Sequence, residues 1–331
     1  MKSISIQSPT RVDLAGGTLD MWPLYCLTRS ASTINVAIDI MTTAQIQPLD
    51  TKKIVLHSKD LQLQTEYADL DACLSDQDPR LSLLQAQMHF WKPKQGFILT
   101  CSSQSPVGGG LGGSSSLTIS LLKAFSQFCE KKFSSVHQMV HVAHNIEAQV
   151  LSTPTGTQDY YPAVSGGLNI LDYGTQEIHQ TVLPVKSSGL SDYFLLAYTG
   201  KAHHSGLNNF EVLTKAVQKN EKTLKALHEI RRIAEETRSV CLDKKWNQLP
   251  GLFRQEFAAR VQLAEAFSSP EIEKLSEVAM KAGALAVKIC GAGGGGCVLL
   301  WVEPQHKMKV TEQCQKEGFQ ILSAQPVDPL Q

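Results

Sequence analysis

The strongest constraint on this chain is one stretch near its middle: Pro106-Val107-Gly108-Gly109-Gly110-Leu111-Gly112-Gly113-Ser114-Ser115-Ser116, followed at once by Leu117-Thr118-Ile119-Ser120-Leu121-Leu122. The glycines allow tight turns and let a ligand approach bare peptide N–H groups. The serines stand where a helix should begin, and the apolar residues after them supply its buried face. A glycine-rich loop feeding a helix N-terminus is an anion site, because unpaired N–H groups and the helix dipole both face the ligand. Phosphate is the natural occupant.

Two decoys share these glycines. Gly108, Gly110 and Gly113 fit a G-x-G-x-x-G pattern, as do Gly291, Gly293 and Gly296, and Glu130 lies at a plausible distance for a ribose-binding acid. A dinucleotide fingerprint follows directly on its strand, however, and here Ser102-Ser103-Gln104-Ser105-Pro106 intervenes. A Walker loop fails too, since no Gly-Lys-Ser/Thr follows. Without that lysine, phosphate charge must be met by backbone N–H groups, a metal ion and other side chains.

Lys plus Arg equals Asp plus Glu at 31 each among 331 residues, so no net field recruits nucleic acid or a membrane surface. The start of the chain lacks the apolar core of a signal peptide, and no apolar run approaches a membrane span. Eight scattered cysteines form no C-x-x-C pair, which points to reduced thiols and a cytoplasmic setting.

The first hundred residues read mostly as strands. Ile34, Val36, Ile38 and Ile40 alternate as in a half-buried strand, and residues 53–58, 61–67 and 96–101 follow, the first two as a hairpin. Helices are expected over 114–128 and 136–151, strands over 167–173 and 193–199, and an almost wholly helical stretch over 207–285. Ser269-Pro270 opens the last of those helices and Gly283 ends it. A second glycine-rich segment, 291–296, precedes a strand over 297–302. The pattern is α+β in two domains, with a boundary between 175 and 190.

Three segments together resemble the GHMP kinases (the galactokinase, homoserine kinase, mevalonate kinase and phosphomevalonate kinase group). Pro106-x-x-x-Gly110-Leu111-Gly112-x-Ser114-Ser115 resembles the family's nucleotide loop. Arg11-Val12-Asp13-Leu14-Ala15-Gly16-Gly17-Thr18-Leu19-Asp20 is similar to its first motif, and Lys288-Ile289-Cys290-Gly291-Ala292-Gly293-Gly294-Gly295-Gly296-Cys297 to its third. Arg-Val-Asp followed by Gly-Gly and a later Asp is similar to fucokinase. Gly156-Thr157-Gln158-Asp159-Tyr160, then Gly166-Gly167-Leu168-Asn169 and Tyr198-Thr199-Gly200, are similar to bacterial heptose 7-phosphate kinases. Two departures stand out: galactokinases carry Glu-His where this chain has Gly17-Thr18, and the serine usual between Gly112 and Ser114 is Gly113.

The resemblance implies a two-domain GHMP-kinase-like α+β fold, an N-terminal ATP-binding domain over 1–185 and a C-terminal domain over 186–331. The reaction it implies is transfer of the γ-phosphoryl group of ATP to a hydroxyl, the anomeric one, of a sugar or sugar phosphate. Residues Pro106, Gly108, Gly109, Gly110, Leu111, Gly112, Gly113, Ser114, Ser115 and Ser116 would hold ATP, and Ser114 with Glu147 would hold Mg²⁺. Glu147 also lies near the apolar face of its helix, where carboxylates are seldom left unpaired. Asp159 would accept the hydroxyl proton and Arg11 would orient it. Strand alternation places Asp13 on the side of Arg11, where it either orients that arginine or contacts substrate. Gly17, Thr18, Asp20, His203, Ser205, Gly293 and Gly294 would face the acceptor. Two other readings of the same fold remain at this point, a catalytically silent sensor of sugar or nucleotide and a kinase for a non-sugar alcohol such as mevalonate.

Overall fold

The computed structural model describes residues 2–202, 205–263, 267–291 and 293–330. Its first sheet grows around one long strand. β1 (Ile4–Ala15) runs antiparallel along β2 (Ala31–Pro48), in register Arg11 opposite Ala37 and Asp13 opposite Asn35. The two halves of β2 also pair with β5 (Phe97–Ser103) and β6 (Leu168–Tyr173), and β3 (Ile54–Ser58), β4 (Leu63–Tyr67) and β7 (Ile178–Leu183) extend the sheet in the order β4-β3-β5-β2-β6-β7. β3 and β5 are the parallel pair, and β3–β4 is the expected hairpin. The alternation at 34–40 predicts a half-buried strand, yet β2 is buried at eight consecutive positions from Ala31 to Ile38. The helices Gly113–Phe128 and Glu221–Leu242 both pack against β1 and β2, which removes the solvent face that alternation presumes.

The second sheet joins β8 (Phe194–Tyr198), β9 (Ala284–Ile289), β10 (Cys297–Val302) and β11 (Gln320–Leu322) in the antiparallel order β11-β8-β10-β9. Helices Leu249–Val261 and Pro270–Ala282 pack on β9. The second of these is capped by the Ser269 hydroxyl, which accepts from Ile272 N, and closes on Gly283 at φ 118°. Helix Val136–Leu151 forms over its expected span, with Ser135 as N-cap and Val140, Ala143 and Ile146 buried. Three elements differ from the sequence reading: helices Leu70–Ser75 and Ser82–Trp91 interrupt the strand-rich first hundred residues, and β9 occupies the end of the stretch read as helical. Chain 325–330 returns to the first sheet, where Val327 and Leu330 donate to Ala37 O and Ser165 O. No helix among the described residues is long and apolar enough to cross a membrane.

Candidate active site

Burial of β1 on both faces from Ser8 to Ala15 takes two charged residues into the interior. Arg11, 4% exposed, answers with a full set of acceptors. Its Nε donates to Asp159 Oδ1 at 2.8 Å and its Nη2 lies 2.7 Å from the same oxygen, while its Nη1 donates to the carbonyls of Gly110 at 2.6 Å and Cys290 at 2.8 Å. One guanidinium thereby joins the first motif, the glycine loop, the third motif and Asp159. Burial works against the Arg11 cation, but the charges of Asp159 and Asp13 outweigh it and hold its pKa above the ordinary value.

Around this arginine lies a cavity of about 440 Å³. Pro106, Gly108, Gly109, Gly110, Gly112, Gly113, Ser114 and Ser115 line it, as do Arg11, Gly17, Thr18, Asp20, Glu147 and Asp159. The helix Gly113–Phe128 starts at Gly112, whose φ of +69° is left-handed, and no side chain caps it. Its first N–H groups therefore face the cavity unpaired. A Cβ on Gly112 would stand 3.1 Å from Asp159 Oδ2, so glycine permits both the turn and the approach. Both Arg11 contacts fall on Asp159 Oδ1, which leaves Oδ2 toward Gly112.

Glu147 is 4% exposed. Its Oε2 accepts from Ser115 Oγ at 2.9 Å and Tyr160 Oη at 2.5 Å. Burial raises its pKa, and the hydroxyls of Ser114, Tyr160 and Ser115 only partly counter this. No Lys, Arg or His makes a salt bridge to it among the described residues. A buried carboxylate met only by hydroxyls, at the edge of an anion site, is a donor set that suits a hard divalent cation.

The cavity wall that carries Asp13, Gly17, Thr18 and Asp20 is held by charges that local sequence does not reveal. Asp13 does not pair with Arg11. Its Oδ2 accepts from Lys288 Nζ at 2.8 Å and Arg260 Nη2 at 3.0 Å. Both cations also reach Glu256, Arg260 Nε at 3.2 Å and Lys288 Nζ at 3.2 Å, and Glu256 Oε1 accepts from Gly16 N at 3.1 Å. Two acids and two bases, each at most 2% exposed, balance to zero. Burial raises the pKa of Asp13, but Lys288 and Arg260 overcome it and hold the carboxyl below its ordinary range. Arg260 Nη2 also donates to Gly17 O at 2.9 Å, and a Cβ on Gly17 would lie 2.6 Å from that nitrogen. The quartet thus fixes the turn that presents Thr18 and Asp20. Thr18 Oγ1 reaches Asn209 Oδ1 at 3.2 Å, and Asp20 Oδ2 accepts from Gln158 N at 3.0 Å.

Four expected contacts lie elsewhere. Leu111 is buried in the core, and its carbonyl accepts from Arg11 N. Ser116 turns inward, donating to Ser8 O at 3.0 Å and sitting 2.8 Å from Thr42 Oγ1. Gly293 and Gly294 do not line the cavity. A Cβ on Gly293 would meet the Phe267 backbone at 2.5 Å, so this glycine serves packing, while Cys290 and Gly291 represent the third motif at the site. His203 falls outside the described residues, and Ser205 opens the helix Ser205–Val217. Sequence reading missed Gln158, Asn209, Glu256, Arg260 and Lys288 as site residues. Gln158 and Lys288 stand inside motif segments quoted above without being singled out, and the Glu256–Arg260 spacing of four on a helix was a further local signal.

Comparison with known proteins decides the family. Residues 81–167 match the model of the GHMP kinases N terminal domain and residues 247–319 that of the GHMP kinases C terminal domain. The chain belongs to the GHMP kinases. As a member it is an ATP-dependent phosphotransferase with a hydroxyl acceptor. This GHMP kinase is 27% identical over 326 residues to a D-glycero-alpha-D-manno-heptose 7-phosphate kinase of Campylobacter jejuni, covering 96% of this chain and 94% of that one. It is 22% identical over 333 residues to a mevalonate kinase of Methanocaldococcus jannaschii, covering 96% and 98%. Its fold matches the crystal structure of a D-glycero-D-manno-heptose 1-phosphate kinase from Bacteroides thetaiotaomicron with a TM-score of 0.79, at 22% identity over 99% of this chain and 97% of that one.

Proposed function

We propose that this kinase phosphorylates a hydroxyl, the anomeric one, of a sugar or sugar phosphate, in the manner of a heptose 7-phosphate kinase. The observation that carries the reading is the placement of Asp159. Arg11 pins its Oδ1, and its Oδ2 stands beside Gly112 at the open helix N-terminus, with Asp20 on the cavity's other wall. The acceptor oxygen attacks the γ-phosphorus of ATP, its proton passes to Asp159 Oδ2, and ADP leaves. The N–H groups at 113–115 meet phosphate charge, and Arg11 keeps the base aimed. Glu147 and Ser114 would hold Mg²⁺, which when bound supplies charge neutralisation to the phosphates.

The wall on the acceptor side favours a sugar over mevalonate. Thr18, Asp20, Gln158 and Asn209 all line the cavity. Hydrogen-bonding groups in that number are matched by the hydroxyls of a polyol and not by a methyl-bearing acid. Eight free cysteines among the described residues are in keeping with a cytoplasmic enzyme.

ADP release with Mg–ATP against free hexoses, heptoses, their terminal phosphates and mevalonate tests the reading. Turnover on a sugar class, and none on mevalonate, is expected. Turnover on mevalonate alone would refute the acceptor assignment, and bound ATP without turnover on any compound would refute the catalytic one.

A further inference from the structure

Gly113 is a glycine without a conformational reason. It is the first residue of the helix Gly113–Phe128, and it is absent from the residues with left-handed φ. The reason is space. A Cβ at position 113 would lie 3.0 Å from Ser105 Cβ and 3.1 Å from Ser105 Oγ. The Ser105 side chain therefore fills the place that a residue-113 side chain would take over the first turn of the helix.

Ser105 is held there by its own backbone, whose N–H donates to Ser103 Oγ at 3.1 Å. Among the described residues its hydroxyl has only a long bond, to Pro106 O at 3.3 Å. Both Ser103 and Ser105 line the cavity, on the limb of the loop opposite Ser114 and Ser115. A hydroxyl so placed gains by rotating from a poor neutral bond to a charge-assisted one.

We propose that Ser105 is a nucleotide-phosphate ligand, its Oγ–H donating to a phosphate oxygen of ATP and supplying from the strand side the hydroxyl that Gly113 removes from the helix side. The inference rests on the reading of this cavity as the ATP site. It also gives the departure at Gly113 a consequence: the loop keeps its hydroxyl count by moving one hydroxyl across the loop.

The test is calorimetric titration of wild type and Ser105→Ala with Mg–ATP, Mg–ADP and adenosine. Alanine keeps the Cβ that packs on Gly113 and loses only the hydroxyl. Affinity for ATP and ADP is expected to fall about tenfold, the scale of one hydrogen bond to a charged group, with adenosine unchanged within about twofold. The double variant Ser105→Gly/Gly113→Ser, which returns the hydroxyl from the helix side and clears the space for it, is expected to recover most of the loss. Unchanged ATP binding by Ser105→Ala overturns the inference, as does an equal loss with adenosine, which would mark Ser105 as structural. Failure of the wild type to bind ATP at all would overturn the reading beneath it.

Discussion

Asp20 offers a prediction in which stability and function pull in opposite directions. Its carboxylate is 4% exposed, and its Oδ2 abuts Gly156 so closely that a Cβ there would lie 1.9 Å away. Burial pushes its pKa from 3.8 to about 6; the Gln158 N–H pulls it back down, and the charges of Asp159 and Asp13 add to the rise. A shift of that size is worth about 3 kcal/mol. The folded protein holds the Asp20 proton more tightly than the unfolded chain does. The penalty is therefore absent below pH 4, grows as pH rises toward 6, and stands in full above it. Asp20→Asn removes the charge while its amide oxygen still accepts from Gln158 N. Urea unfolding at pH 8 should show the variant more stable than wild type by about 1–3 kcal/mol, the lower figure allowing for imperfect amide contacts. At pH 4 the difference should vanish. The same variant should lose acceptor turnover, because a carboxylate that only accepts is replaced by an amide that also donates. A gain equal at pH 4 and pH 8 would refute the electrostatic argument, and no gain at pH 8 would show that Asp20 is not desolvated as its burial requires.

Asp159→Asn should reduce ADP release by several orders of magnitude and leave ATP affinity within a few-fold; near-normal turnover would remove the base from its role. Glu147→Gln keeps the hydroxyl partners and removes the charge, so the Mg²⁺ concentration for half-maximal rate should rise while thermal stability at neutral pH does not fall. Arg260→Met and Lys288→Met each leave the buried Asp13–Glu256 pair with one cation and should cost about 3–5 kcal/mol in urea unfolding. Only Arg260 also holds Gly17 O and lines the cavity, so its loss should raise the acceptor KM well beyond that of Lys288→Met, with the ATP KM unmoved in both.

The glycine-loop side of the cavity was legible because it is local. Residues 106–116 carry their own turns, their own helix start and most of their own donors, so composition and order suffice to read them. Glu147 was legible for a related reason, since helical spacing alone brings a carboxylate to a buried face. Leu111 and Ser116 show where this reasoning ends. Within the loop, sequence does not say which side chains face the cavity, and these two turn inward to the core and to Ser8.

The wall around Asp13 was not legible because it is an agreement between distant charges. Asp13 and Arg260 are 247 positions apart, and Asp13 and Lys288 are 275 apart. Neither pairing leaves a trace in spacing, and alternation along β1 pointed Asp13 toward Arg11, its neighbour on the same face. What decides its partner is burial from the far side: helix Leu249–Val261 and β9 bring two cations to a strand already carrying one buried arginine. With Arg11 committed to Asp159, Asp13 must be neutralised by others, and Glu256 must then be present to balance the second of them. The first and third motifs and the helix Leu249–Val261 thus meet through charge pairing in which loss of one member leaves a buried charge uncompensated. A cavity wall built this way is fixed in position by the fold's own charge balance and not by any local motif.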